Sequence, residues 1–573
     1  MNDVEIWQIG NTGLRNPERI QEGFKAFAES SFVGKLHGNE QEIAFMKYLN
    51  DRGIIHNEKG NDPSGSYARK WRLMFARYGF IYDQYKGQKG YLQDKLGTVD
   101  EITPFGESFL KADTFPAVQE CFLRALGVEQ YEVPGTSDLF SPFRWILAIM
   151  LRLEEITGSS EITRIEFALW GQATDPRDNV DDVVSSILDL RARRKVAPAK
   201  KKFDRLEIEA RGKDYTKKNG NFNDYCDMNM RYLRISGVVQ RKGRGLIITP
   251  SKHIIAEKMA KTTASEKSLE DELITLTTGA PLPTDDTNVA KEVLKGLESL
   301  LNDRHILYDI SDLPLNTATE INIARNRLED LLAKTNEITY AEKQCDQWRE
   351  IADYMSLLIE GKDKKEYDED NVIEIPRDEK PAYLEWIMWR AALAIDHMVN
   401  QPYEVRGFRL DSDFFPVSAA GGGKGDLYCE FDDFVILTEV TMSTSSRQES
   451  MEGEPVRRHV SDAITRYPGR KVYCLFIAIR IDMNTTETFR QGIWYSGNEK
   501  QRLDIVPLSL SQFRDFFVEM FESDKVSPKA LVDFILSCEQ KRDEYESPEW
   551  SEFIDRMVRY RIHMLNLAEK RKE

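Results

Sequence analysis

The stretch that decides the fold of the C-terminal part runs Gly421-Gly-Gly-Lys424-Gly-Asp426-Leu-Tyr-Cys-Glu430-Phe-Asp-Asp433-Phe-Val-Ile-Leu-Thr-Glu439-Val440-Thr441. Two apolar runs flank Asp432-Asp433, as in paired strands joined by a tight turn. Asp426 opens the first strand and Glu439 falls late in the second, so both carboxylates are expected at one end of a hairpin. Two acids so placed repel unless a cation lies between them. Hard oxygen ligands on a sheet edge suit Mg²⁺, which in turn suits phosphodiester chemistry. The glycines before Asp426 read as a close-approach loop, since they lack both P-loop spacing and a Ser/Thr after Lys424.

Working outward, Pro381-Ala-Tyr-Leu-Glu385-Trp-Ile-Met-Trp-Arg390 is a strongly apolar helix on which Glu385 is the conspicuous acid. A carboxylate in such surroundings is usually paired or metal-bound, because burying it alone costs several kcal/mol. Beyond the hairpin comes Arg447-Gln-Glu449-Ser-Met-Glu452-Gly-Glu454-Pro455-Val-Arg457-Arg458-His459. Pro455 fits the first turn of a helix, which would put Arg457, Arg458 and His459 near its start. Arg470-Lys-Val-Tyr-Cys-Leu-Phe-Ile-Ala-Ile has the apolar continuity of a buried strand.

The N-terminal half contains one pattern twice. The first copy is Tyr67-Ala-Arg69-Lys70-Trp71-Arg72-Leu-Met-Phe-Ala-Arg77-Tyr-Gly79, a basic amphipathic helix closed by glycine. It continues through Lys86-Gly-Gln-Lys89-Gly90 and returns at Thr103-Pro104. The second copy carries Arg231 and Arg234 on its helix, turns at Gly237, passes Gln240-Arg241-Lys242-Gly243-Arg244-Gly245 and returns at Thr249-Pro250. Helix, glycine, strand, basic turn, strand, Thr-Pro and helix is the order of a winged helix. Such a unit fits duplex DNA: its helix enters the major groove and its basic hairpin reaches phosphates.

The 573 residues allow several domains, and 41% hydrophobic with 31% charged residues is ordinary for a globular protein. The net charge of −17 argues against a nucleic-acid partner until charge is read locally. From Arg191 to Lys218, twelve Lys/Arg face four acids, so an acidic protein can still offer DNA a basic face. No apolar run approaches the ~20 residues of a membrane span, and no secretory signal opens the chain. The six cysteines form no CxxC pair. A reducing cytoplasm is the expected location, with neither disulfides nor a zinc cage. A Thr/Pro/Asp-rich stretch from Thr262 to Asn288 is the best linker candidate.

The order of helix with Glu, strand with Asp, strand with Glu, and helix with basic residues resembles the PD-(D/E)xK nuclease core. Thr441 stands where most of that superfamily has lysine, so the general base stays open between residues such as Glu452 and His459. Together with Trp7-Gln-Ile-Gly10-Asn11-Thr12-Gly-Leu-Arg15, the duplicated helical units and the Glu-Val-Thr strand, the chain resembles the AlwI-type family of type IIS restriction endonucleases. That resemblance implies a multidomain α+β protein. Residues 1–120 and 121–262 would be winged-helix-like recognition subdomains, 263–375 a helical linker and 376–573 the nuclease domain.

The implied activity is Mg²⁺-dependent cleavage of double-stranded DNA a few base pairs outside a short asymmetric site. Catalytic positions map to Glu385, Asp426, Glu439, Glu452 and His459, with Glu385, Asp426 and Glu439 as metal ligands. DNA contacts are expected from Arg15, Arg69, Lys70, Arg72, Arg77, Lys89, Arg231, Arg234, Arg241, Lys242 and Arg244. Implied partners are a second copy or a small subunit for the other strand and a cognate DNA methyltransferase. The alternatives are a strand-specific nicking enzyme, the large subunit of a heterodimer, or a non-catalytic winged-helix regulator.

Overall fold

In the computed structural model the chain forms two compact units, Met1–Ala333 and Lys334–Glu573. The structure describes residues 6–52, 54–55, 66–86, 90–132, 139–172, 179–214, 222–261, 268–367, 372–376, 379–420, 424–444 and 446–569. No helix among them is long and apolar enough to cross a membrane.

The first unit is largely helical. Helix α1 (Ser66–Arg77) ends at Gly79, whose φ of 73° is the left-handed conformation that glycine adopts freely. Ile81 and Ile102 then form a single antiparallel bridge, and the Thr103 side chain caps α2 (Pro104–Leu110). Helices α3 (Phe115–Val128), α4 (Pro142–Thr157), α5 (Val180–Val196) and α6 (Lys200–Arg211) follow. The second copy of the pattern begins with α7 (Phe222–Arg234), turns at Gly237 (φ 72°) and forms the hairpin β1 (Val239–Lys242) and β2 (Gly245–Ile248). Ile162 bridges Leu246 on the hairpin's other side. The copies differ in their turns. The first has one bridge and a short helix at Tyr91–Leu96 where the second has a hairpin.

The segment Trp7–Leu14 runs between the two copies. Trp7 Nε1 donates to Gly171 O at 3.0 Å, and Asn229 on α7 receives Ile9 N at 3.1 Å and donates to Trp7 O at 2.9 Å. Tyr78 Oη donates to Ile9 O, and Tyr232 Oη donates to Leu14 O at 2.7 Å. The two tyrosine rings lie 6.1 Å apart, so Tyr78 and Tyr232 are core residues that hold this segment from both sides.

The stretch expected to be a linker is built into this unit as far as it is described. Helix α8 (Leu269–Thr278) packs against α2 and α3, and Leu276, Ala280 and Leu282 are buried. Arg124 also pairs with Asp285 at 2.7 Å. Apolar residues spaced among the threonines and acids account for the burial. Helix α9 (Ala318–Glu342) starts in the first unit and ends in the second.

In the second unit, helix α10 (Lys380–Ile395) is buried on nearly every side. A four-stranded sheet comprises β3 (Leu427–Glu430), β4 (Phe434–Thr441), β5 (Lys471–Ala478) and β6 (Ile505–Ser509), with spatial order β6-β5-β4-β3. The β3–β4 pair is antiparallel and the other two pairs are parallel. Phe431 N bonds Phe434 O at 2.9 Å, which closes the expected turn over Asp432-Asp433. Strand alternation splits the core: Ile436 faces the cluster containing Trp386 and Trp389, whereas Val435 and Leu437 face that containing Val456, Val460 and Ala463.

Those last three residues lie on α11 (Gln448–Arg466). This helix starts at Gln448, so Pro455 lies in its interior and Arg457, Arg458 and His459 are mid-helix, not in its first turn. Tertiary hydrogen bonds fix the early start. Gln448 Nε2 donates to Ser443 O and Arg480 O at 2.8 and 2.9 Å, and its Oε1 receives Asp482 N at 2.9 Å.

Candidate active site

Leu427 pairs with Thr438, so Asp426 falls opposite Glu439 where β3 and β4 meet. Asp426 Oδ2 accepts Val440 N–H at 2.8 Å, which fixes its carboxylate on the adjacent strand. Glu439 is on the same alternation as Val435 and Leu437 and therefore faces α11, where its Oε1 lies 2.9 Å from His459 Nδ1. Glu385, on α10, accepts Ala420 N–H at 2.7 Å. Glu452, in the second turn of α11, accepts a hydrogen bond from the Thr441 hydroxyl. Gly425 belongs to the loop read as a close approach. A Cβ there would lie 2.7 Å from Glu439 Oε1, too near for any side chain. Gly421 to Gly423 are outside the described residues.

The electrostatics are those of crowded, dehydrated acids. Burial raises the Glu385 pKa well above the usual carboxylate range, and Asp426 adds to the effect. Asp426 is raised by burial and then by Glu439. Glu439 is raised by burial and then by Glu452 and Glu385, while Glu452 is raised by burial against the opposing Thr441 bond. Burial and the neighbouring Arg458 lower His459, which favours the neutral ring. Its Nε2 is buried without a hydrogen-bond partner.

The four carboxylates carry the kind of oxygen atoms that a hard divalent cation takes as ligands. Such an ion would reverse the mutual repulsion that raises these pKa values. Among the described residues, no three His, Cys, Asp or Glu side chains are already gathered as a metal-holding group. Asp426, Glu439 and Glu385 each have one oxygen engaged, by Val440 N–H, His459 and Ala420 N–H respectively.

The expected DNA-contacting residues fall into different settings. Arg72 is largely buried and bonds Asp100 at 2.6 Å and Asp83 at 3.3 Å. Arg77 is held by Glu129 and by the carbonyl of Gln8. Both guanidinium groups serve the interior of the first unit. Arg69 pairs with Glu42 at 3.1 Å and Arg15 with Asp224 at 3.1 Å, each about half exposed. Lys70 lies over Gly13 and is half-buried. On α7, Arg231 pairs with Asp227 at 3.2 Å and Arg234 is half-buried. At the hairpin, Arg241 Nε donates to Gly243 O at 2.7 Å, Lys242 pairs with Glu161 at 3.1 Å, and Arg244 is exposed. Lys89 is outside the described residues.

Four arginines of the basic run that begins at Arg191 are paired with acids in it or beside it, and Lys217 and Lys218 lie outside the described residues. Arg191 pairs with Glu166, Arg193 with Asp189 and Glu207, Arg194 with Asp204, and Arg205 with Glu209. Arg406 pairs with Glu337 across 69 residues, a contact that no local sequence pattern marks.

The class defined by these features is a two-unit protein with a helical N-terminal unit and an α/β unit bearing acids at one sheet edge. The chain matches the model of the AlwI restriction endonuclease family over residues 77–516 and belongs to that family. Its activity is therefore that of a restriction endonuclease. Among solved structures, the small subunit (R.BspD6I2) of the heterodimeric restriction endonuclease R.BspD6I is similar at 22% identity. That match covers 36% of this chain and 97% of the other, with a TM-score of 0.29. The BpuJ1 endonuclease binding domain, solved with modified DNA, is similar at 11% identity, covering 48% and 97% with a TM-score of 0.32. No curated protein matches.

Proposed function

We propose that the protein is a type IIS endonuclease that binds a short asymmetric duplex site through its first unit and hydrolyses phosphodiesters outside it with Mg²⁺. The observation that carries this reading is the set of four carboxylates, Glu385, Asp426, Glu439 and Glu452, each raised in pKa by burial and, for the first three, by one another. The second unit is read as a PD-(D/E)xK core, and the helix–glycine units around Gly79 and Gly237, the second followed by a hairpin, as winged-helix-like recognition subdomains, 1–120 and 121–262.

Asp426, Glu439 and Glu385 would hold the cation. Bound there, Mg²⁺ would supply Lewis-acid stabilisation of charge on the scissile phosphate. His459 orients Glu439 through its Nδ1 contact. Glu452 is fixed by Thr441 at the position where the superfamily places lysine. Glu452 and His459 together take the lysine's part in ordering the attacking water and its proton. Arg15, Arg69, Lys242 and Arg244 are the favoured phosphate and base contacts, because they are exposed.

One site of this kind acts on one phosphodiester at a time, and an asymmetric target gives no symmetry-related second site. A second copy or a small subunit would then serve the other strand. The test is cleavage of plasmid DNA by the purified protein with Mg²⁺ or with EDTA, resolving supercoiled, nicked and linear forms. Nicked DNA at low enzyme concentration that becomes linear as concentration rises is expected, with no cleavage in EDTA. Equal cleavage in EDTA contradicts the proposal.

A further inference from the structure

The segment Arg406-Gly407 touches the backbone at Asp426 and the residue, Ala420, whose N–H holds Glu385. Gly407 N donates to Asp426 O at 2.8 Å, and Arg406 forms an antiparallel bridge with Leu427, the residue after Asp426. A Cβ on Gly407 would sit 3.0 Å from Ala420 Cβ and 3.3 Å from Asp426 O. Ala420 is the residue whose N–H holds Glu385. One short backbone stretch thus abuts the anchors of two carboxylates.

That stretch is clamped from outside the site. Arg406 Nε and Nη2 donate to Glu337 Oε1 and Oε2 at 2.7 and 2.9 Å, a bidentate pair, while Nη1 donates to Phe408 O at 2.7 Å. The guanidinium therefore ties its own loop, residues 406–408, to the C-terminal part of α9. Side-chain exposure is 8% for Glu337 and 17% for Arg406. A largely buried ion pair contributes little net stability over an apolar replacement. Its bidentate geometry instead fixes position and angle.

We propose that Glu337 and Arg406 are a positioning pair for the cleavage site, holding Asp426 and the Ala420–Glu385 contact in register. The inference rests on the reading above, that Asp426 and Glu385 are site carboxylates. Neither Glu337 nor Arg406 touches the reacting atoms. Groups that orient ligands from outside typically alter activity or metal affinity by about 10–100-fold when removed, and a displacement of about 1 Å at a reacting group costs a similar factor.

The test compares Glu337→Gln, Arg406→Met, the exchanged Glu337→Arg/Arg406→Glu double variant and Asp426→Ala in the full chain. Four quantities are read: thermal midpoint, DNA affinity in EDTA, single-turnover cleavage against Mg²⁺ concentration, and Mn²⁺ affinity from the free-ion paramagnetic signal. For Glu337→Gln and Arg406→Met, cleavage is expected to fall about tenfold or more with weaker Mn²⁺ binding, DNA affinity staying within about twofold. The exchanged pair should recover part of both losses.

Wild-type cleavage and Mn²⁺ affinity in folded Glu337→Gln, with only the midpoint lowered, overturns the positioning role. Glu337→Gln keeps an acceptor for Arg406 and carries the test even where Arg406→Met does not fold. If Asp426→Ala cleaves like wild type, the carboxylate reading fails and the pair has nothing to position. If Asp426→Ala is inactive while Glu337→Gln is unaffected, only the pair proposal fails.

Discussion

His459 Nδ1 lies 2.9 Å from Glu439 Oε1, with the two side chains only 8% and 7% exposed. Burial lowers the histidine and raises the glutamate, so each is pushed toward its neutral form. The contact is then held by an N–H donated to a carboxylate that a nearby cation would keep ionised. The opposite ring nitrogen is buried without a hydrogen-bond partner.

This relationship separates two substitutions at one position. His459→Asn preserves a donor near Nδ1, whereas His459→Ala removes it. Single-turnover cleavage should fall about 10–100-fold in the alanine variant and distinctly less in the asparagine variant, with DNA affinity unchanged in both. Equal activity of all three proteins would remove His459 from the mechanism.

Without divalent ions the acidic cluster should make stability depend on pH in an unusual direction. A carboxylate whose folded pKa is raised binds its proton more tightly when folded. It contributes stability below the unfolded value, and that contribution is lost as pH rises through the folded value. Glu385, Asp426 and Glu439 all shift this way. Thermal midpoints in EDTA should therefore fall as pH rises above the ordinary carboxylate range. Asp426→Asn should flatten that slope and stabilise the metal-free protein near pH 8. A slope unchanged by the substitution would show that Asp426 is not among the crowded acids.

Two arginines that look alike in sequence should behave differently. Arg244→Ala at the exposed hairpin tip should reduce the salt slope of DNA binding by about one unit while leaving stability unchanged. Arg77→Ala removes the guanidinium paired with the buried Glu129, which should cost about 3–5 kcal/mol of stability. Chemical denaturation and binding titrations at several salt concentrations distinguish them. A stable Arg77→Ala protein with an altered salt slope would put Arg77 at the DNA instead.

What the sequence made legible depended on how local the signal was. Strand alternation places Glu439 on one face, and the short turn at Asp432-Asp433 returns the chain so that Asp426 faces it. Glu385 stood out because an acid on an all-round apolar helix needs a reason. Contacts distant in sequence were not legible. Arg72 and Arg77 meet acids 28 and 52 residues away, and no helical periodicity distinguishes such an arginine from one facing DNA. Glu337 meets Arg406 across 69 residues. The early start of α11 depends on Ser443, Arg480 and Asp482 closing around Gln448, whereas local propensity favoured a start at Pro455. Likewise, the Thr/Pro-rich stretch after Thr262 has a linker's composition, yet Leu276, Ala280 and Leu282 are buried in the first unit.

The central claim is that Asp426 and Glu439 carry the cleavage chemistry while affinity for DNA resides in the first unit. Asp426→Asn and Glu439→Gln, which keep size and remove charge, test it most directly in paired assays of Mg²⁺-dependent cleavage and metal-free DNA binding. A cleavage loss of about a thousandfold or more is expected in each, since each removes a group acting on the reacting phosphate, with binding within about twofold of wild type. Cleavage at the wild-type rate by Asp426→Asn would contradict it.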